Sequence, residues 1–350
     1  MSPPILGVTG YYLEPAAAVL VEGRLAAAWK EETLAGRPVA PGFPLLAVQR
    51  CLADAALSVT DLGYVGFADR PLSRFQRVVT HSAAGGLKSF RQAMIPWLQS
   101  RLHVAAHLRR DLGTGCRAAV LFTDYHEALA AAAFFASPFE AAAVITLDGL
   151  GARSTGALGQ GRGARLELSH MLPGPHSLSL FLQAVANVTT TAPLGRDVHR
   201  QAEQGQPRFR DLLLEAVLDL RPDGSFRLRS EALDFSSGVP KWRPKLQGLL
   251  SGTGEQHQCD LIASAWAVCR EVTGRAARHA LQQTGQRRLA VGGEWTPHWL
   301  DHDALRSSGQ VDEIWSPSGA AASAAAGAAW LLHHHVLAAP RSLASVVAAS

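Results

Sequence analysis

Cysteine is scarce in this sequence of 350 residues, and its spacing excludes the common metal motifs. The four cysteines are Cys51, Cys116, Cys259 and Cys269. No two of them have the two- to four-residue separation of zinc-binding pairs. We therefore expect buried, unpaired thiols in a reducing compartment.

Several catalytic signatures are also missing. The chain has no Gly-x-Ser-x-Gly turn for a nucleophilic serine and no evident Cys/His pairing. No glycine is followed directly by Lys-Ser or Lys-Thr, as a P-loop requires. These absences argue against a serine or cysteine hydrolase and against a P-loop nucleotide hydrolase.

Features that would direct the chain to a membrane or to nucleic acid are weak. The N-terminus has no basic segment followed by an apolar run, and no window of about 20 apolar residues lacks charges, proline and glycine. The formal net charge is only +4, and the arginines are scattered. The densest basic stretch, 107–110, is typical of a solvated helix face. We expect a cytoplasmic protein with no membrane span and no nucleic-acid partner.

Glycine, in contrast, follows three predicted strands. The segments are Ile145–Gly151, Leu289–Trp295 and Ser316–Trp330. A glycine-rich turn after a strand lets backbone N–H groups approach a phosphate. We therefore predict a nucleotide site formed by Gly149, Gly151, Gly292, Gly293 and Gly319.

The order of predicted elements indicates two similar halves. Short apolar strands, then helices, occur over residues 1–120, and the same order returns over 121–350. We predict an α/β protein with the two-lobed architecture of the actin-like ATPases, in which glycine turns face a central cleft. The run His333–His335 points in three directions on a helix, so we expect surface histidines and no chelate.

An ordered set of segments resembles one family, the nodulation-type and antibiotic O-carbamoyltransferases. Their first domain is shared with the actin-like tRNA threonylcarbamoyl-transfer enzymes. The resemblance runs from Ile5 to about Leu332. The segments are Ala18–Glu32, Gly42–Leu57, Phe67–Phe75, Phe134–Gly151, Gly174–Phe181, Asp260–Ser264 and Asp312–Gly319.

The resemblance implies a two-stage reaction. In the family, a C-terminal domain makes carbamoyl-adenylate from carbamoyl phosphate and ATP. The actin-like domain then passes the carbamoyl group to an acceptor hydroxyl beside a metal ion. This sequence matches only the actin-like domain, so we expect it to lack the adenylate-forming domain.

The residues that would hold the metal are largely replaced. The family's His-His-x-x-His-Ala helix aligns so that its two ligand positions are Tyr125 and Leu129, and only the intervening His126 is a histidine. The aspartate of a later Gly-Asp-Ala-Gly turn aligns with Ala320, whereas Asp148 remains. We expect no metal site. Asp148 is either a residual ligand or a turn former, and His126 is either a base or a packed side chain.

Other reactive segments differ as well. The family's Lys-Val-Met-Gly-Leu-Ala-Pro-Tyr-Gly loop aligns with Asp197–Gly205, and its His-Asp-x-Ser-Ala segment with Leu13–Ala17. The Gly-Gly-Val-Ala-Leu-Asn strand end aligns with Gly292–Pro297, which introduces Glu294 where a phosphate would be repelled. Glu31 and Glu32 either orient an acceptor or are ordinary charges at a strand end.

Three functions remain open from the sequence. The first is a degenerate, non-catalytic partner or regulatory subunit of a carbamoyl-transfer system, which has no cofactor and pairs with an active homologue or with itself. The second is an active subunit that takes carbamoyl-adenylate from another chain, with ATP or the adenylate and a divalent metal as cofactors and Asp148 or His126 as the base. The third is a small-molecule sensor that kept the cleft.

Overall fold

The computed structural model describes residues 2–83, 86–149, 151–189, 197–235, 240–250, 252, 254–319 and 323–341. Two five-stranded sheets dominate it. The strands of the first sheet are β1 Ile5–Thr9, β2 Ala16–Val21, β3 Arg24–Lys30, β4 Tyr64–Phe67 and β5 Ala119–Phe122. Those of the second are β6 Ala141–Thr146, β7 Ser154–Arg162, β8 Arg165–Pro173, β13 Arg288–Gly292 and β14 Glu313–Trp315.

Helices and two small hairpins complete these parts of the chain. The hairpin strands are β9 Leu218–Leu220 with β10 Phe226–Leu228, and β11 Leu233–Asp234 with β12 Lys241–Trp242. The helices of the first half are α1 Glu31–Ala35, α2 Leu45–Asp54, α3 Pro71–Ala83, α4 Gly86–Gln99, α5 Val104–Leu112 and α6 Tyr125–Phe135. Those of the second are α7 Leu178–Thr189, α8 Asp197–Gln204, α9 Arg210–Val217, α10 Pro244–Leu250, α11 Glu255–Thr284, α12 Thr296–Trp299, α13 His302–Ser307 and α14 Ala324–Leu331.

The two sheets have the same topology. The first has the order β3-β2-β1-β4-β5 and the second the corresponding order β8-β7-β6-β13-β14. In each sheet the first three strands in chain order are antiparallel neighbours, and the last two run parallel to the first. This repeat confirms the predicted two-lobed actin-like architecture. The last strand of the first sheet, β5, ends at Phe122, and the predicted boundary at 120/121 therefore falls inside this strand.

Each lobe contributes one helix to the other. The helix α6 follows β5 of the first sheet but packs on β6, β7 and β13 of the second. Conversely, α14 follows β14 of the second sheet and packs on β1, β2 and β4 of the first. The two helices also contact each other, and this buries the core between the lobes.

Small residues permit this close packing. A Cβ atom at Gly327 of α14 would lie 1.7 Å from the carbonyl oxygen of Ala128 on α6. At Gly7 of β1, a Cβ would lie 1.8 Å from the carbonyl oxygen of Ala325. The alanine runs of α6 and α14 are thus the contact surfaces of a close helix pair.

The histidine triplet lies in a π-helical turn, Leu332–Val336, that extends α14. The expectation of surface histidines is wrong for His333 and His334, which are 4% and 6% exposed. The ring of His334 lies 4.2 Å from that of Phe135, and His333 contacts the turn at Gly23. Interlobe packing explains this burial. In the parts of the chain that the structure describes, no helix is long and apolar enough to cross a bilayer.

Candidate functional site

A cleft of 510 Å³ separates the lobes at the ends of their central strands. Its volume is in the range of small-molecule sites. The first lobe contributes the end of β1, the β1–β2 loop and Lys30 at the end of β3. The second contributes the ends of β6 and β13, the start of α7 and the turns before α12 and α14.

Asp148 lies in this cleft just after β6, and its carboxylate is saturated by the protein. One oxygen, Oδ1, accepts from Gly149 N at 2.9 Å and from Ser179 Oγ at 3.2 Å. The other, Oδ2, accepts from Trp295 N at 3.0 Å and from Glu294 N. A carboxylate has about four lone-pair sites. All four are occupied here, so Asp148 has none left for a metal ion in this arrangement.

The same contacts show what the glycine turns hold. The N–H groups of Gly149, Glu294 and Trp295 point at the Asp148 carboxylate. These are amides of the two turns predicted to bind phosphate. Burial raises the pKa of Asp148, although the backbone hydrogen bonds oppose that shift. Because four donors point at its two oxygens, Asp148 acts as an internal acceptor that ties the end of β6 to the turn after β13.

His126 is fully buried beneath the cleft. Its Nδ1 lies 2.9 Å from Thr146 Oγ1, and its backbone N donates to the N-cap carboxylate of Asp124 at 3.1 Å. Its Nε2 is buried without a partner within normal hydrogen-bond geometry among the described residues. Burial lowers the pKa of His126 to about 3, although the carbonyls of Gly149 and Asp148 partly offset this. The side chain is a neutral packing group beneath the cleft and does not line it.

The expected metal-ligand positions do not form a coordination site. Tyr125 and Leu129 lie one turn apart on α6, and both line the cleft. Leucine has no donor atom, and the nearby Asp148 is saturated. Ala320 lies outside the described residues. Within the described ranges, no group of three or more His, Cys, Asp or Glu side chains is placed to hold a metal ion.

The five predicted nucleotide-site glycines separate into two groups. Gly149, Gly293 and Gly319 line the cleft, whereas Gly151 and Gly292 are packed against α6 residues. A Cβ at Gly292 would lie 2.5 Å from the carbonyl oxygen of Leu129. Gly293 has φ +104°, and a Cβ there would lie 2.7 Å from Cβ of Asp148. The glycine at 293 is thus required by the turn that encloses the aspartate.

Sequence reasoning missed an ion pair across the cleft. Lys30 Nζ lies 3.3 Å from Glu14 Oε1 in its own lobe and 3.1 Å from Glu294 Oε1 in the other. Burial opposes the charge of Lys30, but the two carboxylates together raise its pKa. The sequence contained one signal for this ion pair: Lys30 and Glu294 have opposite charges, and each follows a predicted strand. Nothing in the spacing indicated that they meet.

Glu31 has a structural role. Its Oε1 accepts from Leu46 N at 3.1 Å and its Oε2 from Ala47 N at 2.8 Å. Both amides belong to the first turn of α2, where a carboxylate satisfies N–H groups that lack helical partners. This geometry favours the structural alternative for Glu31.

Comparisons with known proteins identify a family. Residues 4–330 match the family model "Carbamoyltransferase N-terminus". The chain is 31% identical over 329 residues to "Uncharacterized protein sll1178" of Synechocystis sp. (strain ATCC 27184 / PCC 6803 / Kazusa), covering 89% of this chain and 54% of that protein. It is 25% identical over 320 residues to "Nodulation protein NolNO" of Sinorhizobium fredii (strain NBRC 101917 / NGR234), covering 88% and 44%.

Among solved structures, the chain matches "Crystal structure of T.kodakarensis HypF". The TM-score is 0.47 at 13% identity, covering 96% of this chain and 48% of that one. The chain spans about half the length of the curated relatives that it matches.

Proposed function

Since the chain belongs to the carbamoyltransferase family through a domain of the N-terminal type, we propose that it is a non-catalytic member of that family. In this proposal it no longer supports metal-dependent carbamoyl transfer. It acts instead as a partner or regulatory subunit of a carbamoyl-transfer system, beside an active homologue.

The saturated carboxylate of Asp148 is the observation that carries this proposal. Its four hydrogen bonds use the N–H groups of Gly149, Glu294 and Trp295 and the hydroxyl of Ser179. A metal ion would have to break several of them, and a phosphate would have to displace an internal acceptor. Both changes cost free energy, because the hydrogen bonds to the charged carboxylate would be broken in a partly buried turn.

The remaining metal-ligand positions support the same conclusion. At the positions that the resemblance assigns to the metal and that the structure describes, this chain has a saturated aspartate, a phenol and a leucine without a donor atom, and such a set binds iron or zinc poorly. Neither of the two bases predicted from the sequence is placed to accept a proton from an acceptor hydroxyl, because His126 is enclosed and Asp148 accepts from backbone amides.

Calorimetry on purified protein of known metal content tests the loss of the site. The titrants are ATP and a non-hydrolysable carbamoyl-adenylate analogue. We expect no bound metal and no affinity tighter than about 100 μM, which corresponds to roughly 5.5 kcal/mol. Stoichiometric metal together with tighter binding would refute the proposal.

A double substitution sharpens this test. Tyr125→His with Leu129→His places two imidazoles at i and i+4 on α6, the spacing of a shared metal site. We expect the variant to take up more zinc than the parent protein. Tyr125→His alone is the matched control, because one imidazole cannot chelate.

Co-expression tests the partner role. A full-length family member from the same genome should elute with this chain as one complex in gel filtration. Its transfer activity should change when this chain is added. Separate elution and unchanged activity would leave the partner role unsupported.

A further inference from the structure

The cleft already contains an ammonium group, and the protein itself supplies it. Lys30 Nζ lies between Glu14 and Glu294, which come from opposite lobes. The side chains of these glutamates remain 48% and 56% exposed. Lys30 contacts one oxygen of each carboxylate, so both have lone pairs left for a second donor.

The charges of the described cleft residues favour a cation over an anion. Three carboxylates, from Glu14, Asp148 and Glu294, line the cleft together with one ammonium, that of Lys30. Burial raises the pKa of Glu14 even though Lys30 lies beside it. A further positive charge would stabilise this arrangement, whereas a phosphate would add to the repulsion.

An aromatic side chain lines the same cleft and follows Glu294 in the sequence. Trp295 lines the cleft and is half-buried. It is stacked on Trp299, with ring centroids 6.5 Å apart and an interplanar angle of 18°. Trp266 packs edge-on against both rings. A tryptophan fixed in this way attracts cations to its face and packs against flat apolar groups.

Several backbone donors that an anion could use at the described turns already have acceptors. Those of the turns at Gly149 and Glu294 bind Asp148. At the start of α14, Ser323 Oγ accepts from Ala326 N at 3.4 Å, so this end is capped by its own residue. An incoming anion would compete with internal acceptors at these described turns.

We infer that the cleft binds a small organic cation with a flat apolar part. Its ammonium lies against Glu14 and Glu294, and its apolar part packs on Trp295. This inference rests on the proposed function, since it requires that the cleft no longer serves phosphate or metal.

Three probes of the same size distinguish the ligand classes. Benzylamine is a cation at neutral pH, benzyl alcohol is neutral and benzoate is an anion. Each is titrated calorimetrically into the full chain at one fixed ionic strength. We expect benzylamine to bind roughly tenfold more tightly than benzyl alcohol, the effect of one partly desolvated cation–π or ion-pair contact. Benzoate should bind more weakly than both.

Substitutions locate the site. Glu294→Gln should remove most of the preference for benzylamine over benzyl alcohol, and Trp295→Leu should weaken the binding of both. Glu231→Gln is the matched control, because Glu231 is exposed and lies outside the cleft. Thermal melts of each variant confirm that it is folded.

The outcomes separate this inference from the proposed function. Equal affinity for the amine and the alcohol, no binding of any probe, or an unchanged preference in Glu294→Gln overturns the cation site. Each of these results leaves the failure to bind ATP and metal as it was. Binding of ATP and metal would instead overturn the proposed function, and the cation site with it.

Discussion

Replacing Asp148 by asparagine separates a structural role of this carboxylate from a metal-binding role. The substitution keeps the size of the side chain and removes one acceptor oxygen. Asparagine offers one carbonyl oxygen, and its NH₂ group must face either Gly149 and Ser179 or the N–H groups of Glu294 and Trp295. Two hydrogen bonds to the carboxylate are then lost, although Gly149 N also donates to Ser179 Oγ at 3.2 Å and keeps that acceptor.

The expected loss follows from these two bonds. Hydrogen bonds to a charged group contribute roughly 1.5–3 kcal/mol each. Burial raises the pKa of Asp148, which means that burying its charge costs free energy. Removing the charge therefore recovers part of the stability that the lost hydrogen bonds contributed. We expect a net loss of about 3 kcal/mol in the free energy of unfolding. With an unfolding entropy of about 2.1 cal/mol/K per residue, this loss lowers Tm by roughly 4 °C.

Chemical denaturation and thermal melts measure the change. Asp219→Asn is the matched control, since Asp219 is exposed on β9 and should alter stability by less than about 0.5 kcal/mol. Ser179→Ala removes one of the four donors and should cost about 1 kcal/mol. If Asp148→Asn leaves stability unchanged and removes a bound metal ion, the structural interpretation of Asp148 is wrong.

Three further predictions concern other contacts. The unfolded chain protonates His126 near pH 6.5 but the folded chain only near pH 3, so stability falls as pH drops below 6.5. The free energy of unfolding should be about 2 kcal/mol lower at pH 5 than at neutral pH. His126→Gln should reduce this dependence of the free energy of unfolding on pH, as measured by denaturant titrations. Arg341 donates to the carbonyls of Phe134, Phe135, Ser137 and Phe139 at the end of α6. We expect Arg341→Ala to cost roughly 3 kcal/mol, with partial recovery in Arg341→Lys. Gly327→Ala should lower the free energy of unfolding by at least ~3 kcal/mol or prevent folding. Gly248→Ala is the control, because Gly248 has open space around it, and it should raise Tm slightly. Equal effects of the two substitutions would contradict the close packing of α6 and α14.

The sequence was most informative about local order. Strands that end in glycine turns, and helices with clear apolar periodicity, led to the two-lobed arrangement. The long helix α11, for example, ends at Gly285, which has φ +64°. A glycine turn depends on the backbone of a few consecutive residues, so a sequence displays it directly.

Long-range contacts of the site could not be found in the same way. The amides that bind Asp148 come from residues 146 and 147 positions later, and Lys30 meets Glu294 across 264 positions. The sequence left the role of Asp148 open, because a ligand and a turn anchor are both an aspartate after a strand. Its four donors become visible only when the two turns are side by side.

The prediction of surface histidines at 333–335 was wrong for a related reason. Helical geometry places the three side chains in different directions, and that part of the reasoning holds. The direction toward solvent, however, depends on what packs around α14. Phe135 and the Gly23 turn lie there, and they belong to elements that are distant in the chain.

The exchanged helices also set the order in which the chain can finish folding. The first sheet is complete when Phe122 has been synthesised, but α14, which packs on its central strands, follows roughly 200 residues later. At about 5–20 residues per second, a ribosome needs on the order of 10–40 s to deliver it. During that time one apolar face of a finished sheet has no cover, so nascent chains of this protein should depend on chaperones more than a single-lobed protein of equal size.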